Sequence, residues 1–195
     1  QVREANMLAT NDKALRTLVE MRDGQPAVAE TLRRVHFGEL PTIYPPTSQA
    51  VFAMATATTP TDSSVMTRVF IMKAWLIVFD LATLGLVIAL LKLCQKPVGL
   101  CLIYAWCPLL LKEVANSGHL DAIAVFFTTL AVYLAARILV RETKPRSWLA
   151  TTANATLIAL VLALAVGAKL YPIVFAPLIL LVVAKRIGWR YVPAL

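Results

Sequence analysis

Glu113, Asn116, His119 and Asp121 crowd one short polar connection between two apolar stretches. Two carboxylates and an imidazole this close together are the residue types that move protons or orient a polar substrate. Ionisable groups at the edge of a membrane core are costly and mark function more often than packing. A structural reading competes with this one. Asn116 or Ser117 would cap the helix that follows, and Asp121 would favour its N-terminal dipole. Capping accounts for Ser117 and Asp121 but leaves Glu113 and His119 unexplained. A second motif, Lys169-Leu-Tyr-Pro172, closes a later apolar block. Its lysine suits an anion such as a phosphate, or else snorkels from a helix end. Asp80 falls in the middle of an apolar run. A carboxylate there costs about 2.5–3.5 kcal/mol on insertion scales, so it needs a hydrogen-bond partner on a neighbouring helix. Lys73 shares nearly the same face two turns away and is expected to snorkel rather than pair with it. Tyr44 and Tyr171 are either interfacial aromatics or part of a site.

The elements that must hold these groups are apolar helices. Of the 195 residues, 59% are hydrophobic and only 15% charged, and the mean hydropathy is +0.72. Soluble domains carry about 25% charged residues. The apolar excess lies in five blocks, at 69–91, 98–115, 120–140, 149–168 and 172–184. A crossing needs about 20 residues, so the first, third and fourth blocks suffice alone. The second, interrupted by Pro108, and the fifth need their flanks. The expectation is an all-α polytopic membrane protein of about five transmembrane helices. Residues 1–66 form an extracytoplasmic segment, and residues 67–195 form the transmembrane domain. If all five blocks cross, Lys92, Lys96, Arg141, Lys144, Arg146, Lys185, Arg186 and Arg190 share one side. The positive-inside rule makes that side cytoplasmic. The N-terminal region, the Lys112–Asp121 connection and the 167–172 turn then lie outside. A re-entrant second block would spoil this asymmetry.

The net charge of +8 is explained by these loops and does not call for nucleic acid. Cys94, Cys101 and Cys107 have no metal spacing and no disulfide framework, and read as small packing residues. No Walker loop, Rossmann fingerprint, zinc spacing or nucleophile elbow is present. The chain opens at Gln1 without a signal-peptide pattern, which reads as a piece of a longer protein with an upstream helix missing.

Three motifs carry a family resemblance. Pro41-Thr-Ile-Tyr-Pro-Pro46 followed by Ser48-Gln49, then Leu109-Leu-Leu-Lys-Glu-Val-Ala-Asn-Ser-Gly-His-Leu-Asp121, then Ala168-Lys-Leu-Tyr-Pro172, resemble the multi-spanning glycosyltransferases of the GT-C superfamily. The nearest likeness is to the bacterial mannosyltransferase-like, polyprenol-phosphate-mannose-dependent branch and to glycosyltransferase family eighty-seven. The resemblance implies inverting transfer of a sugar, mannose in that branch, from a polyprenyl-phosphate donor to a glycan or lipid acceptor. The reaction would take place at the outer face of a bacterial inner membrane. It implies Asp121, His119 and Glu113 as candidate catalytic groups. It implies Lys169, Tyr171, Asn116 and Tyr44 as candidate substrate-binding groups. No metal ligand is assigned and no cofactor is required, although a divalent cation is compatible. In this superfamily the main base is an acidic residue in the first outer loop, which falls upstream of Gln1. The piece alone is therefore expected to be inactive, and Glu39 is a weak substitute. Two other classes remain open. A secondary transporter would use Asp80, His119 and Asp121 as a proton relay, although no internal repeat supports it. A non-catalytic membrane assembly subunit is the third.

Overall fold

In the computed structural model, the described residues are 44–140, 148–186 and 188, with isolated positions at 16, 19, 20, 23, 24, 26, 29, 30 and 34. Glu39, Pro41 and the basic stretch 141–147 lie outside them. The described residues are all helical or connecting, with no strand among them. Helix α1 is Pro46–Ala57 and α2 is Val65–Leu93. Two short helices follow, α3 (Leu102–Ala105) and α4 (Pro108–Leu110), before α5 (Asp121–Val140), α6 (Trp148–Ala168) and α7 (Ala176–Arg186).

Helix α2 starts where Ser64 accepts a hydrogen bond from Thr67 N at 3.2 Å, an ordinary N-cap. Its 29 residues reach about 43 Å at 1.5 Å per residue, more than a hydrocarbon core of about 30 Å. Helices α2 and α5 are each long and apolar enough to cross a membrane. Thr152–Ala168 and Tyr171–Lys185 are apolar but shorter.

The second apolar block is not one continuous helix. A 3-10 turn, Val98–Cys101, leads into α3, and the chain breaks at Trp106–Cys107 with a bend of 45° before α4. The cause is local: Pro108 disfavours the helical region for the residue before it, and Cys107 is extended at φ −71°, ψ 115°. Taken as one bent unit, this block is a third candidate span. It leaves α2 at Leu93 and is back beside the start of α2 at Asn116, where Lys73 Nζ donates to Asn116 O at 2.5 Å. The fifth block also differs from a simple helix, because Tyr171–Phe175 is a 3-10 turn ahead of α7. Leu111–Asn116 forms a π-helical turn, with Ser117 N donating to Lys112 O at 2.9 Å.

Helix α5 lies between α2 and α6, and its buried face is small: Ala122, Ala124, Ala131 and Ala135 with Ile123 and Thr128. Small residues let apolar helices approach closely when lipid provides no competing hydrophobic drive. Around Ala122–Ala124 gather Val51 of α1, Leu76 of α2, Val114 and Ala168. Phe79, Phe126 and Phe127 stack edge-on beside them, with Phe79–Phe126 centroids 5.4 Å apart. A second cluster joins Ala131 and Ala135 to Ile158, Val161, Ile179 and Val182. Helix α1 docks on the end of α6, where Ser48 Oγ donates to Ala168 O at 3.0 Å. It is thus part of the helical body.

Candidate functional site

At the end of the bundle where α5 begins, the π-helical turn determines the direction of the chain. Its last carbonyls are used by the connection: His119 N donates to Glu113 O at 2.8 Å and Gly118 N to Val114 O at 3.1 Å. Gly118 has φ +71°, a region that glycine enters without steric cost. This tight return carries His119 back over Glu113. The imidazole Nε2 lies 3.4 Å from Glu113 Oε2, and Nδ1 lies 3.3 Å from Asp121 Oδ2. One ring therefore stands between two carboxylates. A doubly protonated imidazole can donate to both, and a neutral one to only one.

Asp121 has a second partner. Helix α6 ends at Ala168, and Lys169 Nζ reaches Asp121 Oδ1 at 2.6 Å. The pair is half exposed, so its own contribution to stability is about 0–1 kcal/mol. Tyr171 follows on the 3-10 turn, with Pro172 buried behind it. Burial, and then the negative charge of Asp121, raise the Tyr171 phenol above its ordinary value, so it stays a neutral hydroxyl. Tyr44 enters from the other side. Its carbonyl accepts from Gln49 Nε2 at 2.7 Å, and its ring meets Phe52 edge-on at 5.7 Å.

Tyr44, His119, Asp121, Lys169 and Tyr171 line one cleft of about 630 Å³, floored by Ser117 and Gly118. A smaller chamber of about 220 Å³ adjoins it, lined by Asp80, Tyr104, Glu113, His119 and Asp121 among apolar side chains. His119 and Asp121 belong to both and form the partition. Inside the chamber, Tyr104 OH donates to Asp80 Oδ1 at 2.6 Å. The carboxylate expected to need a partner on a neighbouring helix has it on α3.

The structure thus brings Tyr44, His119, Asp121, Lys169 and Tyr171 together and places Glu113 in the adjoining chamber. Asn116 is exposed and lines neither cavity. Nor do Asn116 or Ser117 cap α5: they end the π-helical turn, and α5 starts at Asp121. Lys73 does not simply snorkel, since it holds the Asn116 carbonyl. Tyr104 went unnoticed in the sequence because a tyrosine inside an apolar block looks like core. Its only clue was Asp80, a half-buried carboxylate in an apolar helix and in need of a donor. Among the described residues, no group of three His, Cys, Asp or Glu side chains is placed to hold a metal ion.

No family model, curated protein or solved structure matches this chain. What the arrangement can do chemically therefore has to be argued from the cleft itself. It offers one cation for an anionic group, one carboxylate held by that cation and by an imidazole, and a neutral phenol.

Proposed function

We propose that this chain is part of a glycosyltransferase of the GT-C kind. It would cross the plasma membrane of a bacterium five times and move a sugar from a polyprenyl-phosphate donor to a glycan or lipid acceptor at the outer face. The observation that carries the reading is the Lys169–Asp121 pair, with His119 behind it, in a cleft at the end of apolar helices. A donor phosphate competes with Asp121 for Lys169, because both are oxyanions seeking the same ammonium. The cation then neutralises the phosphate as it departs from the sugar. Asp121 Oδ1 is then free while Oδ2 stays beside His119, so the carboxylate, held by the imidazole, can orient an acceptor hydroxyl and take up its proton. Tyr171 supplies a neutral donor, and Tyr44 closes the opposite wall. The superfamily resemblance implies a principal acidic base in addition, acting together with this group.

The test uses membranes carrying the complete protein and a labelled polyprenyl-phosphate sugar. Transfer of label to a lipid or glycan acceptor supports the reading, and its absence with every polyprenyl-phosphate hexose tried rejects it.

One observation favours a second reading. The chamber that joins Asp80 and Tyr104 to Glu113, His119 and Asp121 has the composition of a proton relay in a secondary transporter. Asp80→Asn separates the two. A relay stops when its deepest carboxylate no longer titrates. A transferase with its chemistry in the outer cleft keeps turnover within a few-fold.

A further inference from the structure

A third cavity, of about 420 Å³, lies on the other side of the Ser117–Gly118 strip from the cleft. Ala55, Thr56 and Thr59 form one wall, and Val69, Met72 and Leu76 of α2 form the other. Trp75 Nε1 donates to Thr58 Oγ1 at 3.0 Å and fixes the two walls together. The neutral hydroxyls on the α1 side are already committed, Thr56 to Phe52 O and Thr59 to Ala55 O. What remains for a ligand is the Ser117 hydroxyl and positive charge.

That charge comes from Arg68 and Lys73, both half-buried and both lining the cavity. Arg68 donates to the carbonyls of Ser63 and Thr61, at 3.2 and 2.6 Å. Lys73 lies along Gly118, its Cγ 3.4 Å from where a Cβ would stand, and donates to Asn116 O. Among the described residues, neither is in ion-pair contact with a carboxylate. The first turn of α2 carries no acidic residue to offset them, and the positive end of the helix dipole adds to the same field. Two half-buried cations held in place by carbonyls, without a counter-charge, form a site short of an anion.

We propose that this groove binds an anionic glycerophospholipid of the surrounding bilayer, its phosphate against Arg68 and Lys73 and an acyl chain along Val69, Met72 and Leu76. The α2 wall is continuous with side chains exposed on that helix, Met66, Val69 and Phe70. A lipid chain can therefore enter sideways from the membrane. The phosphate lies at headgroup depth, one turn into α2, and Lys73 reaches up to it from a turn below. This site is independent of the transferase reading and requires only that α2 cross the bilayer.

The complete protein is reconstituted in phosphatidylcholine vesicles doped with spin-labelled phosphatidylglycerol or spin-labelled phosphatidylcholine. The expected result is an excess of motionally restricted phosphatidylglycerol. That excess should fall by at least about tenfold in R68Q/K73Q, since the loss of even one charge-assisted bond is worth that much, and persist in R68K/K73R. In a second measurement, a photoreactive side chain at Thr56 should cross-link phosphatidylglycerol in preference to phosphatidylcholine with both cations intact. Equal restriction and equal cross-linking of the two lipids overturn the proposal. So does an excess that survives R68Q/K73Q. Displacement of phosphatidylglycerol by equimolar polyprenyl phosphate also overturns it, and makes the groove a seat for that lipid instead.

Discussion

Lys169 and Asp121 form the contact on which the site turns, and replacing each gives a different outcome. Lys169 is exposed at a helix end, so Lys169→Ala should leave folding nearly intact. A charge-assisted hydrogen bond to the donor phosphate is worth about 1.5–3 kcal/mol, so donor affinity should fall more than about tenfold in a binding titration. Asp121→Asn keeps the shape and the helix start but loses the charge. Its dipole contribution caps the stability loss at about 1 kcal/mol, whereas lost proton transfer or substrate orientation should lower turnover by roughly 10²-fold or more. Full activity in both variants would return the pair to a surface ion pair. Much of this group was legible in the sequence, because charges inside an apolar chain are conspicuous: His119, Asp121 and Lys169 needed only their residue types. Asn116 and Ser117 look like caps because polar residues ahead of a helix usually are, and nothing local reveals that α5 starts only at Asp121. Arg68 drew no notice, because a basic residue near the end of a span ordinarily serves as a membrane anchor.

At the scale of elements, the docking of α1 on α6 depends on one missing methyl group. A Cβ on Gly167 would stand 2.6 Å from Thr47 Oγ1. Overpacking of this kind costs about 1–3 kcal/mol, while alanine in place of glycine inside a helix gains about 1 kcal/mol. Gly167→Ala should therefore be neutral or destabilising alone. In a Thr47→Ala background, where the clashing oxygen is gone, the same change should stabilise by up to about 1 kcal/mol. Thermal denaturation of the four proteins of this cycle measures the reversal of sign. If Gly167→Ala has the same effect in both backgrounds, the contact is not what sets the α1 position. The sequence showed α2 and α5 well, since their apolar runs are long and contain no proline. It showed the second block only in outline: Pro108 marked a break, but its angle depends on packing against α2.

For the whole molecule, the helix ends fix a direction of travel. Lys73 bonded to Asn116, and Lys169 bonded to Asp121, place the start of α2, the end of the broken block, the start of α5 and the end of α6 together. Lys92 and Lys96 lie at the far end of α2. In the most apolar window of α2 only 11% is buried among the described residues, which leaves an apolar face suited to lipid or to further helices. Single cysteines at Ser117 and Lys96, in a background with Cys94, Cys101 and Cys107 replaced by alanine, should react with an impermeant reagent from opposite sides of the membrane. Ser117 should label in intact cells and Lys96 only after lysis. Labelling of both from one side would remove the five-crossing arrangement.

The π-helical turn at Leu111–Asn116 is an extra residue accommodated without a loop, a phase slip in an otherwise periodic spiral. Downstream, the bond from Lys73 to Asn116 fixes the phase; upstream, Glu113 is carried wherever the slip puts it. Deleting Ala115 would let the turn relax to the ordinary period, and the residues inside the turn, Glu113 among them, would change phase while the flanking segments keep theirs. The helix should survive with unchanged circular dichroism, since its backbone bonds re-form one step tighter. Glu113 would nevertheless swing away from His119, and the deletion should share the kinetic phenotype of Glu113→Gln. A helix of correct length and composition would then be silent for want of one step of rotation.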